Sequence, residues 1–174
     1  MLLRITRYSD VDERKLMDIY SESNNENTEY FFPEETDKEK AVRQVEAGFL
    51  DFLKNDFFKQ PEASVWVWED SGIWLSALRT CKVRPDLHYI EALETRPDQR
   101  KKGYASLLLT NVEEALKKEG PFRLYACVSK KNAASIKAHE KAGFRIVSEE
   151  GYDYLQEEAN SHDFGLEYCY SGEW

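Results

Sequence analysis

Three consecutive cations precede a glycine and an apolar helix near the middle of the chain. Residues 95–106 read TRPDQRKKGYAS, and the residues of interest are Arg100, Lys101, Lys102, Gly103, Tyr104 and Ala105. A glycine lets backbone N–H groups approach a ligand with no side chain in the way. The first N–H groups of a helix have no partners within it and lie at the positive end of its dipole, where phosphate binds readily. The loop is predicted to cradle a pyrophosphate, with an ordinary helix start as the alternative.

The rest of the chain is acidic, which favours a local site for a small anion over an extended anion-binding surface. The 174 residues carry a formal net charge of -9. Between Arg96 and Arg145 there are 12 Lys or Arg against 5 Asp or Glu, and elsewhere 12 against 28. A protein of this charge repels polyanions, so no nucleic acid partner is expected. The loop lacks the GxxxxGK[ST] and GxGxxG spacings, so it is neither a P-loop nor a dinucleotide fingerprint.

Hydrophobic periodicity predicts the elements around this loop. Residues 2–7 form a strand, Asp10–Ser21 a helix, and SESNNENTEY a loop. A helix capped by Thr36 or Asp37 runs through Leu53. ASVWVWED and GIWLSALRTCKV form a hairpin, followed by the strand HYIEALET and a helix from Gly103 to about Gly120. RLYACVS is a strand, Asn132–Ala142 a helix, and FRIVSEE and DFGLEYCY are strands joined by a polar segment at 149–162. This order predicts an α/β fold, one mixed sheet with helices on both faces, in a single domain of residues 1–174.

The remaining features exclude several classes of protein. The three cysteines, Cys81, Cys127 and Cys169, have no CxxC spacing, so neither a disulfide framework nor a zinc site is indicated. His88 and His162 have no companions at ligand spacing, and no metal is predicted. The first ten residues, MLLRITRYSD, are too polar for a signal peptide, and no run approaches the roughly 20 apolar residues of a membrane span. A cytoplasmic protein is expected.

A second motif lies downstream of the glycine loop. The segment from Asn132 to Phe144 reads NAASIKAHEKAGF. Together the two motifs resemble the GNAT superfamily of N-acetyltransferases, whose loop has the form [Q/R]-x-x-G-x-[G/A] and whose later helix has the form N-x-x-A-x-x-x-Y/H-E-K-x-G-F. Ser135 replaces the alanine of that pattern, and the match is good over residues 86–148. The resemblance implies a GNAT-like fold with two splayed parallel strands.

The resemblance also implies acetyl-CoA as cosubstrate. The glycine loop, from Arg100 to Ala105, would bind its diphosphate, and the pantetheine arm would lie between the splayed strands. By position, Leu93 and Thr95 would offer main-chain hydrogen bonds, and a backbone amide there would stabilise the oxyanion. Asn132 would contact the pantetheine, cap its helix, or do both.

The resemblance assigns a proton transfer to His139. His139 stands where many members carry a tyrosine that protonates the thiolate of CoA. Imidazole can supply a proton at neutral pH, and a buried structural histidine is the alternative. Tyr104 and Tyr125 are weaker candidates for the same proton.

The base that deprotonates the incoming amine is expected on the strand HYIEALET. Alternation along the strand places Glu91 on the same face as Leu93 and Thr95, so Glu91 is preferred to Glu94. An exposed strand glutamate is the competing interpretation. Without a nucleophile motif, transfer is expected to be direct, in a ternary complex.

The leading functional prediction is an N-acetyltransferase acting on a primary amine of a small molecule or protein. The acidic outer segments favour a cationic acceptor, and clustered aromatics favour a partly apolar one. Those aromatics are Tyr30, Phe31, Phe32, Trp66, Trp68 and Trp74. The alternatives are a non-catalytic acyl-CoA-binding or regulatory module and a structural subunit that pairs through its last strands, and a homodimer is left open.

Overall fold

The computed structural model of the protein describes residues 1–172, so the last two residues of the predicted domain lie outside it. This part of the chain contains five α-helices and nine strands. The helices are α1 (Glu13–Ile19), α2 (Ser21–Phe31), α3 (Lys38–Asn55), α4 (Tyr104–Lys117) and α5 (Ala133–Lys141). The strands are β1 (Leu2–Ile5), β2 (Ser64–Asp70), β3 (Ile73–Arg84), β4 (Leu87–Thr95), β5 (Phe122–Ser129), β6 (Arg145–Ser148), β7 (Gly151–Asp153), β8 (Glu158–Asn160) and β9 (Asp163–Tyr170).

Seven of the strands form one mixed sheet in the order β1-β2-β3-β4-β5-β9-β6. All neighbours in this sheet are antiparallel except β4 and β5, which run parallel. The predicted hairpin between β2 and β3 is confirmed, with Asp70 opposite Ile73 across the turn. The last predicted strand, DFGLEYCY, coincides with β9.

Helices cover both faces of the sheet, as predicted. On one face α1 and α3 bury Leu16, Ile19 and Leu53 against β-strand side chains. On the other, α4 buries Leu109 and Val112 in a second cluster that includes residues of β4, β5 and β9. Helices α1, α3 and α4 each bury an apolar stripe, and burying such a stripe against a sheet is the main stabilising term for a layered fold.

Helix α2 occupies the segment SESNNENTEY that the sequence predicted to be a loop. Asn24 and Thr28, four residues apart, are each 2% exposed and form its inward face. The Thr28 hydroxyl donates to the Asn25 carbonyl at 2.7 Å, and Lys38 Nζ donates to the Thr28 hydroxyl at 2.7 Å. The prediction is wrong because this helix buries hydrogen-bonded polar side chains, which leave no apolar periodicity to detect.

The polar segment at 149–162 also contains regular structure. Strands β7 and β8 pair as a separate two-stranded hairpin, which lies against β5 and β9. The Tyr152 N–H donates to Tyr125 Oη at 3.0 Å and so ties this hairpin to β5. Strands of three residues are too short to give a sequence signal. Within residues 1–172, none of the helices has the length and apolar character needed to cross a bilayer.

Candidate active site

Strand β4 contains a β-bulge close to its carboxyl end. Leu78 of β3 lies opposite two residues, Ala92 and Leu93, because the register shifts there. Ala92 has a φ of 55°, in the left-handed region that residues other than glycine rarely adopt. Parallel pairing with β5 covers only Leu87–Ile90 against Arg123–Ala126. The predicted splay of the two parallel strands therefore begins at the bulge.

The bulge changes which side chains share a face of the sheet. The residues of β3 that pair with Glu91 and Glu94 are two positions apart. The residue that pairs with Thr95 is directly next to the partner of Glu94. Paired residues share a face, so Glu91 and Glu94 lie together on the face covered by α1 and α3. Leu93 packs instead against the core under α4. The prediction that Glu91 shares a face with Leu93 and Thr95 is wrong, because it assumed an unbroken strand.

The loop before α4 presents backbone N–H groups that have no acceptor. Within residues 1–172, no backbone or side-chain group accepts from the N–H groups of residues 103–106, and the first helical bond of α4 runs from Leu107 to the Gly103 carbonyl at 3.0 Å. Gly103 is the N-cap with a φ of 82°, and a Cβ added there would meet nothing within 4 Å. The N-terminus of this 14-residue helix therefore offers unpaired donors at its positive end.

The three cations of the loop differ in their surroundings. Arg100 forms an ion pair with Glu22 of α2. Lys101 has a φ of 61°, and two left-handed residues within three positions turn the backbone sharply at this point. Lys102 Nζ donates to Gln99 Oε1 at 2.9 Å.

A cavity of about 740 Å³ lies above these N–H groups. Cationic side chains come to it from the loop and from α5, and acidic side chains come from α2 and β4. Its lining includes Glu22, Glu26, Leu93, Glu94, Thr95, Arg100, Lys101, Gly103, Tyr104, Ala105, Asn132, Lys137 and Lys141. Of the predicted cofactor-binding residues, only Lys102 is missing from this lining. The cavity thus joins the glycine loop to the bulged end of β4 and is charged with opposite signs on its two sides.

Asn132 caps α5 and also lines the cavity. Its Oδ1 atom accepts a hydrogen bond from the Ser135 N–H at 3.0 Å. The cap leaves the side-chain amide N–H₂ available to a ligand, so the two predicted roles are compatible.

His139 lies below the cavity rather than in its lining. It is 2% exposed and packs edge-on against Phe144 at a centroid distance of 5.1 Å. Its Nδ1 atom lies 2.8 Å from the Ser135 carbonyl oxygen, which can only accept, so Nδ1 carries the proton in this arrangement. Burial lowers the pKa of His139, which favours the neutral ring. A neutral ring protonated at Nδ1 has no proton on Nε2 to give away.

The two strand glutamates also differ in position. Arg79 Nη2 lies 2.8 Å from Glu91 Oε1, and the Arg79 guanidinium stacks over three phenylalanine rings at 5.1–5.4 Å. Glu91 is therefore a partly buried ion-pair residue and is not part of the cavity lining. Glu94 lines the cavity, and its Oε2 atom is buried with no hydrogen-bond partner among the described residues. Burial raises the pKa of Glu94 above its ordinary range, opposed by the Ser23 hydroxyl and the Arg100 charge.

The aromatic residues that favoured a partly apolar acceptor do not line the cavity. Trp66 and Trp74 are core residues, 1% and 5% exposed. Tyr30 and Phe31 lie at the exposed end of α2. Tyr125, a weaker candidate for the acid, accepts from the β7–β8 hairpin and is outside the lining.

Several lining residues escaped the sequence analysis. Glu22, Ser23 and Glu26 belong to α2, whose helix was not predicted. Lys137 and Lys141 lie one turn apart on α5, and this spacing on a predicted helix was the one available signal for them.

The comparisons with known proteins agree with this geometry. The model of the acetyltransferase (GNAT) family matches residues 15–144. No curated protein matches the chain by sequence.

Several solved structures share the fold. The PaiA N-acetyltransferase from Thermoplasma acidophilum, in complex with coenzyme A, is 16% identical with a TM-score of 0.63, covering 98% of this chain and 99% of its own. YncA from Salmonella typhimurium, with acetyl-CoA, is 16% identical with a TM-score of 0.59 over 100% and 95% of the two chains. A ribosomal-protein alanine N-acetyltransferase from Escherichia coli is 17% identical with a TM-score of 0.62 over 100% and 97%. With a family match that spans most of its length and a sheet that splays at a bulge above a glycine loop, the chain belongs to the GNAT acetyltransferase family.

Proposed function

We propose that the protein is an acetyl-CoA-dependent N-acetyltransferase that transfers the acetyl group directly to a primary amine in a ternary complex. The observation that carries the proposal is the set of unpaired N–H groups of residues 103–106, which open into a cavity that reaches the bulge of β4. Membership in the GNAT family and the coenzyme bound in two of the similar structures support it.

The residues of the loop fit a diphosphate. Their free N–H groups can donate to phosphate oxygens, and the dipole of α4 favours negative charge at the same point. Gly103 keeps the approach open, since a side chain there would project into empty space at the mouth of the helix. Arg100, Lys101, Lys137 and Lys141 add positive charge around the anion.

The gap between β4 and β5 fits an extended arm. Beyond Ile90 and Ala126 the two strands no longer pair, so their facing main-chain groups are available to another chain-like molecule. Leu93 and Thr95 would offer main-chain hydrogen bonds on the β4 side, and Asn132 would contact the arm from the start of α5. When bound, acetyl-CoA supplies the activated acetyl group as a thioester.

Glu94 is proposed as the base in place of Glu91. An alkyl ammonium must lose a proton before its nitrogen can attack, and a carboxylate with a raised pKa accepts that proton better than an ordinary one. The nitrogen lone pair then forms the C–N bond as the C–S bond breaks. The nitrogen loses its second proton as it becomes an amide, and the CoA thiolate takes up a proton and leaves as the thiol. His139 donates no proton in this reaction, because its Nε2 atom carries none in the observed arrangement.

The acidic side of the cavity favours an acceptor that arrives as a cation. Glu22, Glu26 and Glu94 lie on that side, and they would attract an ammonium group before it is deprotonated. Both a small amine and a protein amine have this chemistry, and the similar E. coli enzyme is named for a protein substrate.

Gly103→Asp tests the proposal. The change puts a carboxylate at the mouth of α4, so we expect coenzyme A affinity to fall by about 100-fold or more from charge repulsion and occupied donors. Gly72→Asp is a matched control, because Gly72 has a φ of 80° and the same open surroundings but lies in the β2–β3 turn. Titration calorimetry measures both variants.

Release of free thiol from acetyl-CoA across a panel of amines and basic peptides then measures transfer. Unchanged coenzyme affinity in Gly103→Asp would contradict the proposed cradle. Tight binding of coenzyme A with no thiol release from any amine would favour the non-catalytic binding module instead.

A further inference from the structure

A buried tyrosine on the face of the sheet covered by α1 and α3 contacts the bulge directly. Tyr20 is 2% exposed, and its hydroxyl donates to the Ala92 carbonyl oxygen at 2.6 Å. Burial raises the pKa of Tyr20, so the phenol stays protonated and remains a donor. The contact joins the junction of α1 and α2 to the one left-handed residue of β4.

Tyr20 is itself held firmly at both ends. Its ring packs against Phe49 of α3 at a centroid distance of 4.9 Å. Its carbonyl oxygen accepts from the Asn24 N–H at 2.8 Å and from the Ser23 hydroxyl at 3.1 Å. The hydroxyl therefore projects from a fixed point and can hold its partner in place.

The peptide group that Tyr20 contacts carries its carbonyl oxygen and its N–H on opposite sides. The carbonyl of Ala92 and the N–H of Leu93 belong to one planar unit, which is trans like every peptide bond among the described residues. Fixing the oxygen on the Tyr20 side thus directs the N–H of Leu93 away from that side. Leu93 lines the cavity and packs on the opposite face of the sheet.

We propose that Tyr20 is a positioning residue, which orients the Leu93 N–H toward the acetyl carbonyl by holding the Ala92 end of the same peptide. This inference rests on the proposed acetyl transfer, in which the Leu93 N–H stabilises negative charge that develops on the carbonyl oxygen. The left-handed conformation of Ala92 is unfavourable for an L residue, and the hydrogen bond from Tyr20 helps to stabilise it.

Tyr20→Phe removes the hydroxyl and keeps the ring. We expect kcat to fall at least tenfold while the Kd for coenzyme A stays within twofold, because coenzyme A without its acetyl group has no acetyl carbonyl for the Leu93 N–H to contact. We also expect hydrogen exchange of the amides at 91–94 to speed up at least tenfold. Tyr89→Phe is the matched control. Tyr89 is 3% exposed and lies on β4, the strand that contains the bulge, but the hydrogen bond to the Ala92 carbonyl comes from Tyr20.

Ala92→Gly tests the link to the backbone. Glycine adopts a φ of 55° without strain, so the bulge would depend less on Tyr20. The Tyr20→Phe change should then lower kcat by less than threefold in the Ala92→Gly background. If Tyr20→Phe melts too low for assay, the double variant is compared with Ala92→Gly by the same exchange measurement.

Distinct outcomes separate this inference from the proposed function. An unchanged kcat in Tyr20→Phe, an equal loss in Tyr89→Phe, or a loss without faster exchange at 91–94 would each overturn the positioning role. If the unaltered protein neither binds coenzyme A nor releases thiol, the proposed function fails. The exchange comparison then decides alone whether Tyr20 holds the bulge.

Discussion

Glu22 on α2 forms an ion pair with Arg100 in the loop before α4, and the pair spans the boundary between the acidic and cationic sides of the cavity. Both side chains are about 43% exposed, so the pair is open to solvent and to competing ions. A bound diphosphate would compete with Glu22 for the same guanidinium.

Glu22→Gln should therefore tighten coenzyme A binding. Freeing Arg100 from an exposed pair makes available up to about 1 kcal/mol, or roughly two- to fivefold in Kd, and the gain should shrink as salt screens it. Glu39→Gln, which breaks the exposed pair with Arg43 on α3, is the control. Calorimetry at two salt concentrations measures the effect, and weaker binding in Glu22→Gln would contradict it.

Glu94 should set the acidic limb of the pH–rate profile. The base must be ionised to act, and burial raises the pKa of Glu94, so kcat/KM should rise with pH along a limb above the usual range of a glutamate. Glu94→Gln should lower kcat/KM by about 100-fold and abolish the limb. Glu91→Gln is measured in parallel, and loss of the limb in that variant alone would restore Glu91 as the base.

Glu113 should make the protein less stable as the pH rises. The side chain is 3% exposed on α4, Oε1 has no hydrogen-bond partner among the described residues, and burial raises the pKa of Glu113 to about 8. In the unfolded chain the carboxyl ionises near its ordinary value of 4.5. Between these values the folded state holds the extra proton, so stability falls as the pH rises from about 4.5 to about 8.

Glu113→Gln should remove that dependence. We expect the variant to be more stable than the parent at pH 8 by about 2 kcal/mol and equal to it at pH 4. Urea unfolding at both pH values measures this. Glu114→Gln, on the exposed side of the same helix, should show no comparable gain at pH 8.

His139 should affect stability in acid more than catalysis. Burial lowers the pKa of His139, so the unfolded chain takes up the proton first and stability falls as the pH drops below about 6.5. His139→Asn can keep a donor to the Ser135 carbonyl while it removes the titrating ring. It should cost about 1–3 kcal/mol at pH 8 from lost packing against Phe144 and flatten the acid dependence in part, since the pKa of His88 is also lowered by burial.

The same variant tests the catalytic assignment of His139. The rate of acetyl transfer should stay within about threefold of the parent, because replacing His139 removes no proton donor from the reaction. A loss of about 30-fold or more, with coenzyme A binding unchanged, would support His139 as the acid.

The strands and the motif-bearing helices could be predicted because their residues follow simple local rules. Alternation and the Asp70–Gly72 turn define the β2–β3 hairpin, and one apolar stripe after Gly103 defines α4. The unpaired N–H groups at the start of α4 could be predicted for the same reason, since they follow from the start of any helix that lacks a side-chain cap.

The acidic side of the cavity could not be predicted, because tertiary contacts determine it. Helix α2 exists through the buried polar contacts of Asn24 and Thr28, which no periodicity reveals. The bulge is centred on an alanine, a residue with no preference for a left-handed conformation, so no local pattern indicated it. The facing of Glu91 and Glu94 depends on that bulge and was missed with it.

The opposite charges on the two sides of the cavity have a consequence for the end of the proposed reaction. Acetylation turns a cationic nitrogen into a neutral amide, so the attraction of Glu22, Glu26 and Glu94 for the acceptor disappears once the bond has formed. The acetylated product would then dissociate from the acidic side of the cavity without any movement of the protein. It should therefore be only a weak competitive inhibitor against the amine substrate.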